Sequence, residues 1–178
     1  MATVHEIEQR LFSWAPRESA MDWDNVGHLV GDPEQEVEHI LVALDITERV
    51  VQEAIDCGAQ LIVSHHPVMN VRWHEREMQT LRPDTRLGGV LTALVKNGIS
   101  AICMHTNLDA ADGGVNDCLA HALGLSGLSM LNEEKIGRIG TLSCEKPLEQ
   151  FLSDVVKLLS CNGLRYRDGG RPGHRVAG

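Results

Sequence analysis

The chain has 178 residues, enough for one domain with a substantial hydrophobic core and marginal for two. Hydrophobic residues make up 43% of the sequence and charged residues 23%, as is typical of globular proteins. The 16 basic and 25 acidic side chains give a formal net charge of −9, which argues against a general nucleic-acid-binding protein because phosphate backbones attract cationic surfaces.

The first third of the chain alternates between helical and strand patterns. Thr3 and Glu6 fit a capping box that begins a first helix. The segment MDWDNVGHLVGDP, residues 21–33, is polar and contains glycine, which predicts a loop with a short strand. A buried strand follows over 39–47, a helix over 48–59 that ends at Gly58, and a second strand over 60–67. A strand, a helix and a strand with short joins predict a βαβ unit with parallel strands.

The same pattern then repeats. Residues 70–86 are polar and irregular, and we expect them to form a surface excursion. Apolar residues at helical spacing over 87–95 predict a helix, SAICMHTNLD over 100–109 predicts a third strand, and DGGVNDCLAHALGL over 112–125 predicts a sharp turn followed by a helix. The predicted fold class is therefore α/β, with a parallel or mixed sheet flanked by helices.

The pattern changes after Gly127. IGRIGTLS over 136–143 predicts a strand, Pro147 opens a predicted helix, and the segments 163–170 and 174–178 predict two short strands. We therefore divide the chain into an N-terminal α/β region, residues 1–127, and an incomplete start of a second α/β region, residues 128–178.

The cysteines and the N-terminus indicate the compartment. The number of cysteines, five, is odd, and no CxxC pair occurs, which argues against a disulfide framework and against a thiolate zinc site. The first residues lack both a basic segment and a long apolar segment, so they do not predict a signal peptide, and no stretch is long and apolar enough for a membrane span. We expect reduced thiols in a cytoplasmic protein that does not bind membranes.

Three predicted strands end in side chains that suit metal ions. Asp45 lies near the end of the first, His65 and His66 lie near the end of the second, and His105 and Asp109 lie towards the end of the third. Ligands bind beyond the carboxyl ends of the strands in parallel α/β sheets, so these residues are expected to converge. Imidazole and carboxylate groups bind divalent transition metals. Because adjacent imidazoles diverge, His65 and His66 could serve two metals, which in hydrolytic sites lie roughly 3.5–4 Å apart.

Other interpretations remain open for some polar residues. We favour Asp45 as the N-cap of the following helix rather than as a ligand. DGGVND over 112–117 does not by itself identify a phosphate site, because no lysine follows the glycines. Histidines away from the strand ends are interpreted as solvated side chains: His5, His39, His74 and His121.

Six segments together resemble one protein family. They are DWDNVG, LVGDP, ALDIT, GAQLIVSHHP, PDTRLGGVLTALVKNGI and HTNLDAADGGVNDCLA. These motifs are similar to those of the NIF-three-like proteins, often labelled GTP cyclohydrolase 1 type 2 homologues. The resemblance is dense from the first helix to Leu125 and looser after Gly127.

The resemblance implies an α/β protein with two divalent metal cations per subunit. It implies that His65 and His66 each bind one metal, that Asp109 is a further ligand, and that His105 lies beside the metals, where it could transfer protons. The mixed nitrogen and oxygen ligands admit Zn, Fe, Mn, Ni or Co. Family members typically assemble as homohexameric toroids. Family chains also continue further and carry a His-x-x-x-Glu pair that supplies the remaining ligands, so we expect reduced metal occupancy in a chain that ends at Gly178.

Two functions follow from these expectations. The first is a metal-dependent hydrolase of a nucleotide such as GTP. The alternative is a non-enzymatic protein that binds or delivers metal, or regulates other proteins. A nucleotide and further copies of the chain are the expected partners, whereas nucleic acid and membranes are not.

Overall fold

The computed structural model describes residues 1–69, 80–167, 173 and 175–177, and these fall into two compact units, Met1–Ala111 and Asp112–Gly178. The elements of the first unit are, in chain order, β1 (Ala2–Thr3), α1 (Val4–Trp14), a 3-10 turn (Arg17–Ser19), β2 (Gly27–Val30), β3 (Glu36–Val37), β4 (Ile40–Ala43), α2 (Glu48–Cys57), β5 (Leu61–Ser64), α3 (Arg86–Lys96), β6 (Ser100–Cys103) and α4 (Thr106–Ala110). Those of the second unit are α5 (Val115–Ala122), β7 (Leu125–Met130), β8 (Arg138–Leu142), β9 (Lys146–Pro147), α6 (Leu148–Leu158) and β10 (Arg175–Val176).

Local capping fixes the ends of the first two helices. Thr3 and Glu6 form the predicted capping box, in which the Thr3 hydroxyl accepts from the Glu6 amide and the Glu6 carboxylate accepts from the Thr3 amide. Gly58 ends α2 in the left-handed conformation, with φ of 68°, as predicted. The helix begins at Glu48 as predicted, but its N-cap is Thr47, whose side chain accepts from the Val50 amide. The interpretation of Asp45 as this cap is wrong.

A four-stranded mixed sheet forms the centre of the first unit, in the order β2-β6-β5-β4. Strands β4, β5 and β6 are parallel, and β2 pairs antiparallel with β6. Adjacent residues of β5 face opposite sides, so Ile62 packs with Val51 and Leu94 of α2 and α3, whereas Leu61 packs with Val4 of α1. Helices therefore flank the mixed sheet on both faces, which confirms the predicted fold class.

Some predicted bounds in the first unit need correction. The third strand was predicted to continue to residue 109, but β6 ends at Cys103 and helix α4 occupies Thr106–Ala110. The short strand expected within residues 21–33 is present as β2. Residues 70–79 of the predicted surface excursion lie outside the described residues.

The second unit contains an antiparallel pair, β7 and β8, and helices α5 and α6. The strand predicted within residues 136–143 is present as β8, and Pro147 immediately precedes α6 as expected. The strand predicted over 163–170 is wrong for residues 163–167, which have no regular structure, while 168–170 lie outside the described residues. The predicted division after residue 127 falls within β7. Along the described part of the chain, no helix has the length and apolar character needed to cross a membrane.

Candidate metal centre

The parallel strands deliver the site residues to one edge of the sheet. The last residues of β4, β5 and β6 lie directly opposite one another in the ladder. Two residues beyond these ends come Asp45, His66 and His105, and His65 lies directly after β5. Backbone pairing continues past β5, since the amides of His65 and His66 donate to the carbonyls of residues 43 and 44. The strand ends are thus held by main-chain hydrogen bonds, which makes this edge a firm support for side chains.

Three imidazoles meet at this edge. One ring nitrogen from each of His65, His66 and His105 lies within 4.8 Å of the others. The ring centroids are 5.2 Å apart for His65 and His66, 5.1 Å for His65 and His105, and 5.6 Å for His66 and His105, all with edge-to-face orientation. His105 is buried, and the other two rings are partly exposed. A cation could therefore reach the cluster from the side of His65 and His66.

Each histidine is also hydrogen bonded to a carboxylate. His65 Nε2 donates to Asp109 Oδ1 at 3.2 Å, and His66 Nδ1 donates to Asp45 Oδ1 at 2.8 Å. With its Nδ1 proton held by Asp45, His66 has its Nε2 lone pair available for a cation. Asp109 follows His105 by one turn of α4, so a short helix brings its carboxylate back towards β5.

Asp24 holds the third histidine. Its carboxylate accepts from His105 Nδ1 at 2.9 Å, from the Thr106 amide at 3.0 Å and from the Thr106 hydroxyl, while the Asn25 amide donates to it at 2.8 Å. The Asp24 side chain has no exposed surface. Burial raises the pKa of Asp24, but the hydrogen bonds from His105, Thr106 and Asn25 outweigh it and lower the pKa to about 2. An ionised Asp24 therefore fixes the tautomer and orientation of His105.

The donor set fits a divalent transition metal. His65 Nδ1 is buried and has no hydrogen-bond partner among the described residues. Buried polar atoms are normally satisfied, so an orphaned imidazole nitrogen beside two further imidazoles is what a site for a cation would contain. Three imidazoles with Asp109 and Asp45 nearby match the mixed nitrogen and oxygen ligands of Zn, Fe, Mn, Ni and Co.

The structure brings together all four residues that the sequence singled out: His65, His66, His105 and Asp109. Which of them bind metal directly stays a prediction. Sequence reasoning assigned Asp45 to a cap and gave Asp24 no role, although both contact a histidine of the cluster. The sequence did contain a signal for the correct cap, because Thr47 directly precedes the helix and threonine is a preferred N-cap residue.

Relatives with curated names match much of this chain. A protein of Clostridium perfringens named "GTP cyclohydrolase 1 type 2 homolog" is 38% identical over 158 residues, which cover 85% of this chain and 58% of that protein. One of the same name from Halalkalibacterium halodurans is 39% identical over 129 residues, which cover 72% of this chain and 32% of that protein. The chain thus spans about a third of the length of one of these relatives and less than two thirds of the length of the other.

Solved structures and a family profile give the same result. A hypothetical protein of Staphylococcus aureus superposes with a TM-score of 0.86 at 26% sequence identity, covering 98% of this chain and 69% of that one. The profile of the family described as Duf34/NIF3 (NGG1p interacting factor 3) matches residues 2–177. The dense motifs around the strand ends and the arrangement of the sheet therefore have one explanation: the chain belongs to the Duf34/NIF3 family.

Proposed function

We propose that this protein binds two divalent metals at the histidine cluster and hydrolyses a nucleotide such as GTP. The observation that carries the proposal is the convergence of three imidazoles, one of them with an orphaned buried nitrogen, at the carboxyl edge of the sheet. The name of the relatives, GTP cyclohydrolase 1 type 2 homolog, suggests the class of substrate.

The chain's own side chains would divide the work. His65, His66 and Asp109 would hold the metals, and Asp45 would keep His66 in the tautomer that leaves Nε2 available. A bound divalent cation supplies Lewis acidity, which lowers the pKa of a nearby water molecule. His105 would move a proton at Nε2, since its Nδ1 proton is held by Asp24.

The experiment combines metal analysis with turnover. Protein loaded with each candidate metal is analysed by inductively coupled plasma mass spectrometry and incubated with GTP. We expect H65A and H66A to lose metal, and the exposed control variant H5A to retain it. H105A should keep its metal and lose about 100-fold or more in turnover, as expected for removal of a general acid or base. Failure of the wild type to hold any of these metals would overturn the proposal.

A second outcome would favour the alternative function. The His66 side chain is 45% exposed and that of Asp45 55%, so a metal at this edge is accessible for exchange. Reversibly bound metal that passes to an acceptor protein, with no change in GTP, would indicate metal delivery rather than hydrolysis. Metal stoichiometry also separates two metals per chain from one.

Assembly and location complete the proposal. The resemblance implies a homohexameric toroid, which light scattering coupled to size-exclusion chromatography would detect as six times the 19.5 kDa chain mass. All five cysteines are free thiols, which supports the proposed cytoplasmic location because that compartment keeps thiols reduced. The acidic charge supports the expectation that nucleic acid is not a partner, and DNA binding that weakens steeply with salt would contradict it.

A further inference from the structure

A cavity of about 500 Å³ adjoins the histidine cluster. Its walls are the first residues of α2, the first turn of α3 and the residues that follow β5, so His66 lies on its surface. Pro67, Val68 and Val90 make part of the wall apolar. The volume lies within the usual range for small-molecule sites, roughly 300–1,000 Å³. A ligand in this cavity would therefore have one end at the proposed metal site.

Two arginines give the cavity a cationic side. Arg49, near the start of α2, and Arg86, the first residue of α3, both line it. Neither guanidinium forms an ion pair within the described ranges 1–69 and 80–167, unlike Arg82, which pairs with Asp84. In a protein with nine more acidic than basic side chains, two guanidinium groups beside one cavity, neither paired with a described residue, give a local positive charge that attracts anions.

The acidic residues of the cavity, Asp45 and Glu48, form no ion pair with either arginine. The Asp45 carboxylate is used by His66, whose Nδ1 donates to it at 2.8 Å. Glu48 is the first residue of α2, where the helix dipole favours a negative charge, and it forms no ion pair with any described residue. Among the described residues, therefore, no carboxylate occupies the two guanidinium groups, and an anion from solution could bind them.

We propose that this cavity binds the phosphate groups of the substrate through Arg49 and Arg86, and so directs its reacting end towards His66. The planar guanidinium fork pairs with two oxygens of a phosphate at once, which a lysine cannot do. The inference rests on the proposed function, because it takes the histidine cluster as the centre of the chemistry. It names the substrate class as phosphorylated small molecules and identifies two residues that select them.

The test measures phosphate binding without metal. Chelator-treated protein is titrated with inorganic pyrophosphate and the complex is followed by ³¹P NMR at low salt. R49Q and R86Q should each weaken binding about tenfold and the double variant about a hundredfold, as expected for loss of charged hydrogen bonds. The matched control is R10Q on α1, an exposed arginine on the opposite side of the sheet, which should bind as the wild type does.

Three results would overturn the inference: no measurable pyrophosphate binding by the wild type, unchanged binding by the double variant, or an equal loss in R10Q. Circular dichroism checks that the variants fold, which is expected because both arginines are exposed. The metal content of R49Q and R86Q should equal that of the wild type. If the wild type binds pyrophosphate but takes up none of the candidate metals when they are supplied, the proposed function is overturned and the anion site stands, so the two failures are distinguishable.

Discussion

Replacing Asp24 by asparagine should destabilise the protein by about 2–3 kcal/mol at pH 7. The carboxylate is fully buried and accepts hydrogen bonds from His105, Thr106 and Asn25. Lowering its pKa from 3.8 to about 2 corresponds to about 2 kcal/mol of folding free energy at neutral pH. The D24N amide would add a further cost, because one of its N–H groups must face a donor that the carboxylate now satisfies.

Urea unfolding of chelator-treated protein, followed by circular dichroism, measures this difference without a contribution from metal. The matched control is D22N, because Asp22 lies in the same loop and is exposed. That variant should stay within about 0.5 kcal/mol of the wild type. A D24N protein that unfolds within the same margin would refute the reasoning.

The pH dependence has a definite sign. Because the pKa of Asp24 is lower in the folded state, its contribution is fully present above the unfolded value near 3.8 and is lost as the pH falls towards 2. The gap in unfolding free energy between wild type and D24N should therefore narrow from pH 5 to pH 2. A gap that stayed constant over this range would show that the charge of Asp24 is not what stabilises the fold.

Three further predictions concern other parts of the molecule. D117N should lower the free energy of unfolding by about 2 kcal/mol, because it removes the carboxylate that pairs with the buried Arg138 side chain. Hydrogen bonding to Arg138 lowers the pKa of Asp117, so the difference in unfolding free energy between wild type and D117N should shrink in acid. G31A should cost about 3 kcal/mol or more by urea unfolding, since its Cβ would lie 2.0 Å from a hydroxyl oxygen of β6, whereas G98A meets no atom within 4 Å and should cost only about 1 kcal/mol. Burial raises the pKa of Cys103, so mass spectrometry after iodoacetamide treatment of native protein should find it unmodified while exposed cysteines react.

The sequence was sufficient for the part of the site that depends on strand ends. Parallel strands in one sheet bring their carboxyl ends to the same edge, so His65, His66 and His105 could be placed together without coordinates. Asp24 could not be found in this way. It lies 81 residues from His105, in a loop whose position is fixed by tertiary contacts such as the Met21 amide donating to the Thr106 hydroxyl at 2.9 Å.

Tertiary contacts also explain the errors in secondary structure. β6 was predicted too long because HTNLD follows an apolar run with no glycine or proline to mark the strand end. Asp24 accepts from the Thr106 amide at the start of α4 and stabilises a helix there. Strand β7 was missed because its pattern does not alternate. Gly127 has a φ of 61° and the register with β8 shifts between Ser126 and Ser129, so the strand bulges and the period of two is lost.

Contacts at the amino ends of β4, β5 and β6 support the site at their carboxyl ends. Gln60 precedes β5, and its side-chain oxygen accepts from the amides of Glu38 and His39 at 2.9 Å each, which pins the start of β5 to the start of β4. The carbonyl of Gln60 accepts from the Ser100 amide at 2.8 Å, which pins β6 to the same level. The first three residues of β5 are apolar and point alternately to the two faces, so hydrophobic pattern alone would specify its register weakly. A slip of one residue would exchange the sides on which consecutive side chains project, and His66 would no longer lie beside the cavity. The contacts of Gln60 at the amino ends of these strands therefore help to hold the register that brings the imidazoles together at the carboxyl ends.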